Sequence, residues 1–320
     1  MRTLESNEIS MKTWHLDEIQ SVYDQPLLKL IDRARKVYRE HWPTDEIQLC
    51  RLLSIKTGGC SEDCAYCAQS AHYQTGVKAE RLMLVEEVLP LAQEAKAQGA
   101  TRFCMGAAWK GVREGDKRFE SVLETVREVS QLGMEVCVTL GELSERAAQE
   151  LKEAGLTAYN HNLDTSPEYY SKIVSTHTFE DRLKTIEYVQ KAGISLCCGG
   201  ILGMGEGVKD RLRLLEVLSS FEPPPESIPI NCLMAVPGTP LENELPIDGL
   251  ELVRMIATTR IIFPKARIRL SAGRRYLSKE TQTLCFFVGA NSIFYGEKLL
   301  TAENPMRNED RVLLSEIGLI

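Results

Sequence analysis

"TRFCMGAAWKGVREGDKRFESVLETVREVSQLGMEVCVTLG", residues 101–141, holds two short apolar runs with one long amphipathic segment between them. The first run, TRFCMG, reads as a strand. KRFESVLETVREVSQLG reads as a helix ended by Gly133, and MEVCVTLG as the next strand. A strand, a crossover helix and a second strand form a parallel pair. The unit repeats in both directions. Upstream lie the strand LCRLLSI (49–55) and the helix LVEEVLPLAQEAKAQGA (84–100), which tolerates Pro90 and stops at Gly99. Downstream, Ser144 stands as an N-cap at the head of SERAAQELKEAG. Further strands are LTAYNHNLD, ISLCCGGILG, IPINCLMA, ARIRLSAG and NSIFYG, each separated from the next by a helical segment. The total of eight strands and about seven helices predicts an α/β fold, a closed (β/α)8 barrel of the TIM type. An open doubly wound sheet is the competing arrangement. Residues 1–48 read as an N-terminal helical cap, 49–300 as the barrel and 301–320 as a C-terminal tail packed on it, all within one structural domain. The one proline cluster, EPPPES, falls where a helix-to-strand loop is expected.

Composition narrows the function classes. The chain has 320 residues, a net charge of −7 and no basic run, so a nucleic-acid partner is not expected. No apolar run approaches the ~18 residues of a membrane span, so no membrane association is expected either. The stretch MRTLESNEISMKTWHLDEIQ lacks an apolar signal core, and its acidic residues do not suit a transit peptide. A cytoplasmic location is the expectation. Ten cysteines in a reducing compartment point to metal ligation or catalysis rather than disulfides.

Three of them crowd into GGCSEDCAYCAQ (58–69), where Cys60, Cys64 and Cys67 follow the first strand at C-x3-C-x2-C spacing. In a barrel this loop lies on the C-terminal face, where active sites sit. Thiolates are the usual ligands of iron–sulfur clusters. Three of them on a four-iron cluster leave one iron open to a substrate. The alternative is a zinc site completed by His72, although structural zinc sites normally come as two spaced ligand pairs. Farther along, Cys104, Cys137, Cys197 and Arg269 lie on four different strands. Alternation sends every second strand residue inward. A single buried cysteine is ordinarily a small apolar filler, and Cys50, Cys232 and Cys285 read that way. A buried guanidinium is costly without a partner. Three inward thiols together with an arginine therefore suggest a second cluster site. Cys198, next to Cys197, faces the other side of its strand and has no such role.

The three-cysteine loop, with Tyr66 before its last cysteine, resembles that of the radical S-adenosylmethionine superfamily. Longer stretches, LLSIKTGGCSEDCAYCAQS, AERLM, TRFCMGAAWK, YNHNLDTSPE, IPIN, GTPL, RLSAGR and GANSIFYG, resemble the biotin synthase family from about residue 20 to 315. That resemblance implies a sulfurtransferase that inserts sulfur between C6 and C9 of dethiobiotin. It implies a 4Fe–4S cluster on Cys60, Cys64 and Cys67, and a 2Fe–2S cluster on Cys104, Cys137, Cys197 and Arg269 as sulfur donor. It also implies contacts to S-adenosylmethionine from Tyr66, Ala107, Trp109, Asn162, Asp164, Arg182 and Ile201. Asp164 would hold the ribose, Arg182 the cofactor carboxylate, and the backbone of MGAAW (105–109) the methionine amino group. Asn162 would lie between cofactor and substrate, and Asn231 would bond the ureido group of dethiobiotin. Gly199, Ile201, Gly203 and Glu206 match a G-x-I-x-G-x-x-E stretch near the adenine. A homodimer and an electron donor of the flavodoxin or ferredoxin type are implied as partners. Read from residues alone, a solvated helix charge is the preferred reading of Arg182, and a polar loop cap is the alternative for YNHNLDT. A radical enzyme without sulfur transfer, or a non-catalytic zinc or iron–sulfur protein, remains the alternative function.

Overall fold

A computed structural model describes residues 12–320; residues 1–11 of the expected N-terminal cap lie outside it. Nine short strands run parallel: β1 (Gln48–Lys56), β2 (Arg102–Ala107), β3 (Glu135–Thr139), β4 (Ala158–Asn160), β5 (Ser195–Cys197), β6 (Gly200–Leu202), β7 (Ser227–Cys232), β8 (Arg267–Leu270) and β9 (Ser292–Phe294). Neighbours pair in chain order from β1 to β5, and β1 also pairs with β9, which pairs with β8, then β7. β7 meets both β5, at Cys197 opposite Ser227, and β6, at Gly200 opposite Ile230. β5 and β6 are therefore two halves of one stave. The sheet closes as an eight-stave barrel, in agreement with the sequence and against the open sheet.

The crossover helices form the outer ring: α3 (Val85–Ala97), α4 (Lys117–Gln131), α5 (Glu145–Glu153), α7 (Phe179–Lys191), α8 (Val208–Ser219), α9 (Gly249–Ile262) and α10 (Lys279–Phe287), with a single turn, α6 (Pro167–Tyr170), before α7. Their ends follow local chemistry. Asp116 accepts from the Arg118 amide to start α4, and Ser144 accepts from the Ala147 amide to start α5. Gly133, at φ +73°, turns the chain out of α4 in a conformation that costs a β-carbon-bearing residue energy. Pro90 sits inside α3. β2 is buried along its whole length, as a strand covered on both faces must be.

Among the described residues two helices precede the barrel, α1 (Leu16–Tyr23) and α2 (Leu27–His41). They lie along α8 and α9 on the outer wall. The Trp42 indole, just past α2, donates to the Pro264 carbonyl at the edge of the floor. On the floor itself Arg102 is buried between Glu135 (2.7 Å) and Glu226 (2.9 Å). At the other end, α11 (Arg307–Glu316) packs back on the barrel through Leu313 and Leu314. Ahead of it, Leu299, Leu300, Thr301 and Ala302 fold over the lumen.

Candidate active site

The lumen opens at the C-terminal face into a cavity of about 360 Å³. Its mouth is made by the loop after β1. Gly58 and Gly59 take left-handed conformations (φ +67° and +66°), and a β-carbon on Gly58 would lie 2.7 Å from the Lys78 carbonyl oxygen. The loop then closes on itself. The Cys60 amide donates to the Gln69 carbonyl (2.9 Å), and the Ala71 amide to the Cys60 carbonyl (2.7 Å). A second tie runs to the segment before α7. Asp63 accepts from the Ser175 and Thr176 amides at 2.9 and 3.1 Å. Glu62 pairs with the His177 ring and accepts from the Thr176 hydroxyl. The loop that carries the thiols is thus anchored before anything binds.

Cys60, Cys64 and Cys67 all face the cavity. Burial pushes each thiol up, Cys67 to about 11. Any metal bound by these thiols would therefore have to displace their protons, as metal binding to thiols ordinarily does. Among the described residues no three His, Cys, Asp or Glu side chains converge on one point as a single ion requires. His72 turns outward, its ring against the Ser61 carbonyl at 3.0 Å, so it does not complete a zinc site.

Above the thiols the Tyr66 hydroxyl donates to Asp164 at 2.6 Å. Asp164, at φ +66°, is buried, and burial raises its carboxyl. Arg182 reaches toward the same carboxylate at 3.7 Å and donates through Nε to the Tyr170 hydroxyl and His177. Burial works against its charge, but Asp164 and then Tyr170 hold the guanidinium ionised. It is no solvated helix charge. Ala107 ends β2, and Ala107, Trp109, Asn162, Ile201 and Asn231 line the same cavity. Asn162 accepts from the Asn160 amide group (3.0 Å) and the Gly199 amide (3.1 Å). Asn231 donates to the Gly200 carbonyl (3.0 Å) and accepts from the Ala272 amide (3.2 Å), leaving one N–H and one lone pair free. Glu206 instead closes its own turn, accepting from the Gly203 and Met204 amides and from Arg211. Buried polar atoms on Trp109, His161 and Ser271 have no protein partner along this wall. A polar ligand in the lumen would satisfy them.

Deeper in the lumen a second group forms. Cys104 and Cys137 are cross-strand partners on β2 and β3. With Cys197 of β5 they form a buried cluster separate from the main core. Cys198 packs in that main core on the other side of the stave, as alternation requires. Arg269 enters from β8. Its Nη1 stands 3.7 Å from the Cys197 sulfur, its Nε donates to the Ser292 hydroxyl (3.1 Å), and its guanidinium lies over the Phe294 ring. A contact from Cys137, and then the Arg269 charge, draw the Cys197 thiol down. The candidate cluster, cofactor and substrate residues line the one cavity except Cys197, which clusters with Cys104 and Cys137, and Gly199, Gly203 and Glu206 of the glycine-rich stretch, which lie outside its lining.

Four participants were not anticipated. Glu62, His177 and Tyr170 tie the thiol loop to Arg182, and no fixed spacing announces such a network. Cys50, read as a filler, stands in the inner cluster, with Arg269 Nη2 donating to its sulfur at 3.3 Å. Only the register of β1 could have revealed this.

The chain matches the radical S-adenosylmethionine superfamily over residues 54–218 and the biotin and thiamin synthesis associated domain over 229–320. Curated biotin synthases are close to it. That of Synechococcus elongatus is 58% identical, with 95% of each chain covered. That of a Methylobacterium species is 58% identical over 100% of this chain and 96% of the relative. That of Myxococcus xanthus is 56% identical over 96% and 88%. Two solved structures share the fold at low identity. One is an FeFe-hydrogenase maturase from Carboxydothermus hydrogenoformans (TM-score 0.80, 19% identity, covering 95% of this chain and 75% of that one). The other is a methylornithine synthase (TM-score 0.77, 18% identity, 96% and 93%).

Proposed function

The chain belongs to the biotin synthase family of radical S-adenosylmethionine enzymes, and from that membership we propose that it inserts sulfur between C6 and C9 of dethiobiotin to form biotin. The observation that supports this most is the stacking of two thiol groups in one lumen. Three cysteines stand at its mouth, and cysteines with a buried arginine stand at its base.

In this reading Cys60, Cys64 and Cys67 hold a 4Fe–4S cluster, and Cys104, Cys137, Cys197 and Arg269 surround a 2Fe–2S cluster. The outer cluster, when bound, would supply the one-electron reduction of S-adenosylmethionine, and the inner cluster would supply sulfur. The chain's own residues do the positioning. Asp164, held by Tyr66, takes the cofactor ribose, much as acidic residues hold sugar hydroxyls elsewhere. Arg182 takes the cofactor carboxylate through charge-assisted hydrogen bonds. The backbone at Ala107 and the side of Trp109 flank the methionine end, and Ile201 the adenine. Asn162 lies between cofactor and substrate. Asn231 offers its free N–H and lone pair to the ureido group of dethiobiotin. Inert C–H bonds give acid–base groups nothing to act on, so the rate comes from placement and from keeping water out. The segment 299–302 over the lumen serves the second need. Among the described residues no helix is long and apolar enough to cross a membrane. We place the enzyme in the cytoplasm, as a homodimer served by a flavodoxin- or ferredoxin-type electron donor.

The test is an anaerobic single turnover of the reconstituted protein with dithionite, S-adenosylmethionine and dethiobiotin. Deoxyadenosine and biotin are followed together, beside Cys197→Ala. Both products are expected from the wild type, with biotin lost in the variant. Deoxyadenosine without biotin, with both clusters filled, would move the chain to a radical enzyme without sulfur transfer. Neither product would end the enzymatic reading.

A further inference from the structure

The Arg182 guanidinium is gripped from behind. Its Nε donates to the Tyr170 hydroxyl at 2.9 Å and reaches His177 Nε2 at 3.1 Å. The Tyr170 hydroxyl in turn stands 2.9 Å from the same His177 nitrogen. An arginine can only donate, so the Tyr170 oxygen accepts from it, and the Tyr170 hydrogen goes on to His177 Nε2. That nitrogen is an acceptor, which leaves the ring hydrogen on Nδ1, facing the Glu62 carboxylate. Glu62 stands between Cys60 and Cys64 on the thiol loop, and both it and His177 are buried. With Nε engaged, the two terminal nitrogens of Arg182 keep only loose contacts, Nη1 with His161 at 3.5 Å and Nη2 with Asp164 at 3.7 Å. We propose that Glu62, His177 and Tyr170 are positioning residues that aim these two nitrogens at the carboxylate of S-adenosylmethionine, so that the loop bearing Cys60, Cys64 and Cys67 sets cofactor affinity through a side chain of α7. The inference rests on the proposed function above.

The geometry of a guanidinium supports the assignment. The group is planar, so holding Nε fixes the directions of both terminal nitrogens. A carboxylate is best met by two such parallel donors. A free arginine side chain carries much rotamer freedom, and a ligand that must order it binds more weakly. Here the ordering is done in advance, because every link of the chain is itself fixed. The Tyr170 ring packs edge-on between His177 and Phe179, at centroid distances of 5.9 and 5.3 Å. Glu62 accepts from the Thr176 hydroxyl at 2.6 Å and pairs with Lys110 at 3.3 Å. Its neighbour Asp63 holds the Ser175 and Thr176 amides, so the segment that carries His177 is bound to the thiol loop at two successive residues.

Equilibrium dialysis of the full chain tests this, with its clusters reconstituted and kept anaerobic and unreduced so that nothing turns over. The probes are S-adenosylmethionine and its decarboxylated analogue. His177→Leu is expected to raise Kd for S-adenosylmethionine about tenfold or more, the worth of one hydrogen bond to a charged group. Kd for the analogue, which has no carboxylate to meet, should stay as in the wild type. His177→Gln, whose amide offers both a donor and an acceptor, should recover most of the affinity. In turnover the loss should appear in KM and not in kcat. Equal weakening of both probes by His177→Leu overturns the proposal, since it would mean a general loosening of the site. No weakening of either also overturns it. Should His177→Leu fail to fold, Tyr170→Phe decides by the same comparison of the two probes. A wild type that binds no S-adenosylmethionine would end the proposed function first, and this inference with it.

Discussion

The bond from the Tyr66 hydroxyl to Asp164 is the smallest unit on which cofactor recognition would depend in the proposed function. Asp164 is buried, and its other charged neighbour, Arg182, stands at a looser 3.7 Å. In Tyr66→Phe the carboxylate keeps its place and loses its best donor. A hydrogen bond to a charged group contributes roughly 1.5–3 kcal/mol. At ~1.4 kcal/mol per factor of ten, KM for S-adenosylmethionine is expected to rise about tenfold or more. Maximal turnover and the iron content of the outer site should change little. Steady-state kinetics on the reconstituted variant checks this, and an unchanged KM would remove Asp164 from the binding site. The same residues show what a sequence discloses. Cys60, Cys64 and Cys67 are legible because the ligation proposed for them would fix both residue type and spacing. Glu62, His177 and Tyr170 are not, since their network joins two loops more than a hundred residues apart and needs no local pattern. Cys50 was hidden for a related reason. One thiol on a strand resembles any buried filler until the register shows which other thiols share its level.

Among the elements, the fifth stave departs most from expectation. ISLCCGGILG reads as one strand, and the chain forms two, with Cys198 and Gly199 as the break. The cause is backbone proximity. A β-carbon on Gly199 would lie 2.0 Å from the Pro229 carbonyl oxygen. One on Gly200 would lie 2.7 Å from the Asp164 carbonyl oxygen. The stave bends at the two glycines, and β7 pairs with both halves. This bend brings the Gly199 amide to Asn162 and leaves Ile201 on the cavity wall. Gly199→Ala therefore has nowhere to put its methyl without moving β7. Overpacking of this kind costs roughly 1–3 kcal/mol or more. A fall in the urea midpoint of that size is expected, with Asn231 displaced along with β7 and a raised KM for dethiobiotin. An unchanged midpoint would show that β7 yields freely. The helices were legible to within a turn because their caps are local. The kink was not, because the atom that forbids a side chain belongs to another strand.

Across the whole molecule, the C-terminal tail joins stability to confinement of the chemistry. Leu300 lies over Gly106, whose missing side chain leaves it room, and the neighbouring residues line the lumen. What secures the tail is a buried pair. Arg274, just past β8, meets both carboxylate oxygens of Asp310 in α11 at 2.6 and 2.7 Å, and both side chains are shut off from water. Arg274 also donates to Gln282 and to the Phe294 carbonyl, so it touches α10 and β9 as well. Removing one partner of a buried ion pair leaves an uncompensated charge, at a cost of about 3–5 kcal/mol. Replacing both with groups of similar shape is far milder. Asp310→Asn should accordingly lower the urea midpoint sharply, and Arg274→Met with Asp310→Leu should recover much of the loss. If the tail confines the radical as well as stabilising the barrel, Asp310→Asn also shifts the ratio of products. More deoxyadenosine should form per biotin, because a loosened cover admits solvent to the lumen. A variant that is destabilised but keeps the wild-type ratio would limit the pair to holding the fold. A raised ratio in the folded fraction, recovered in the double variant, would tie the closing of the lumen to the tail.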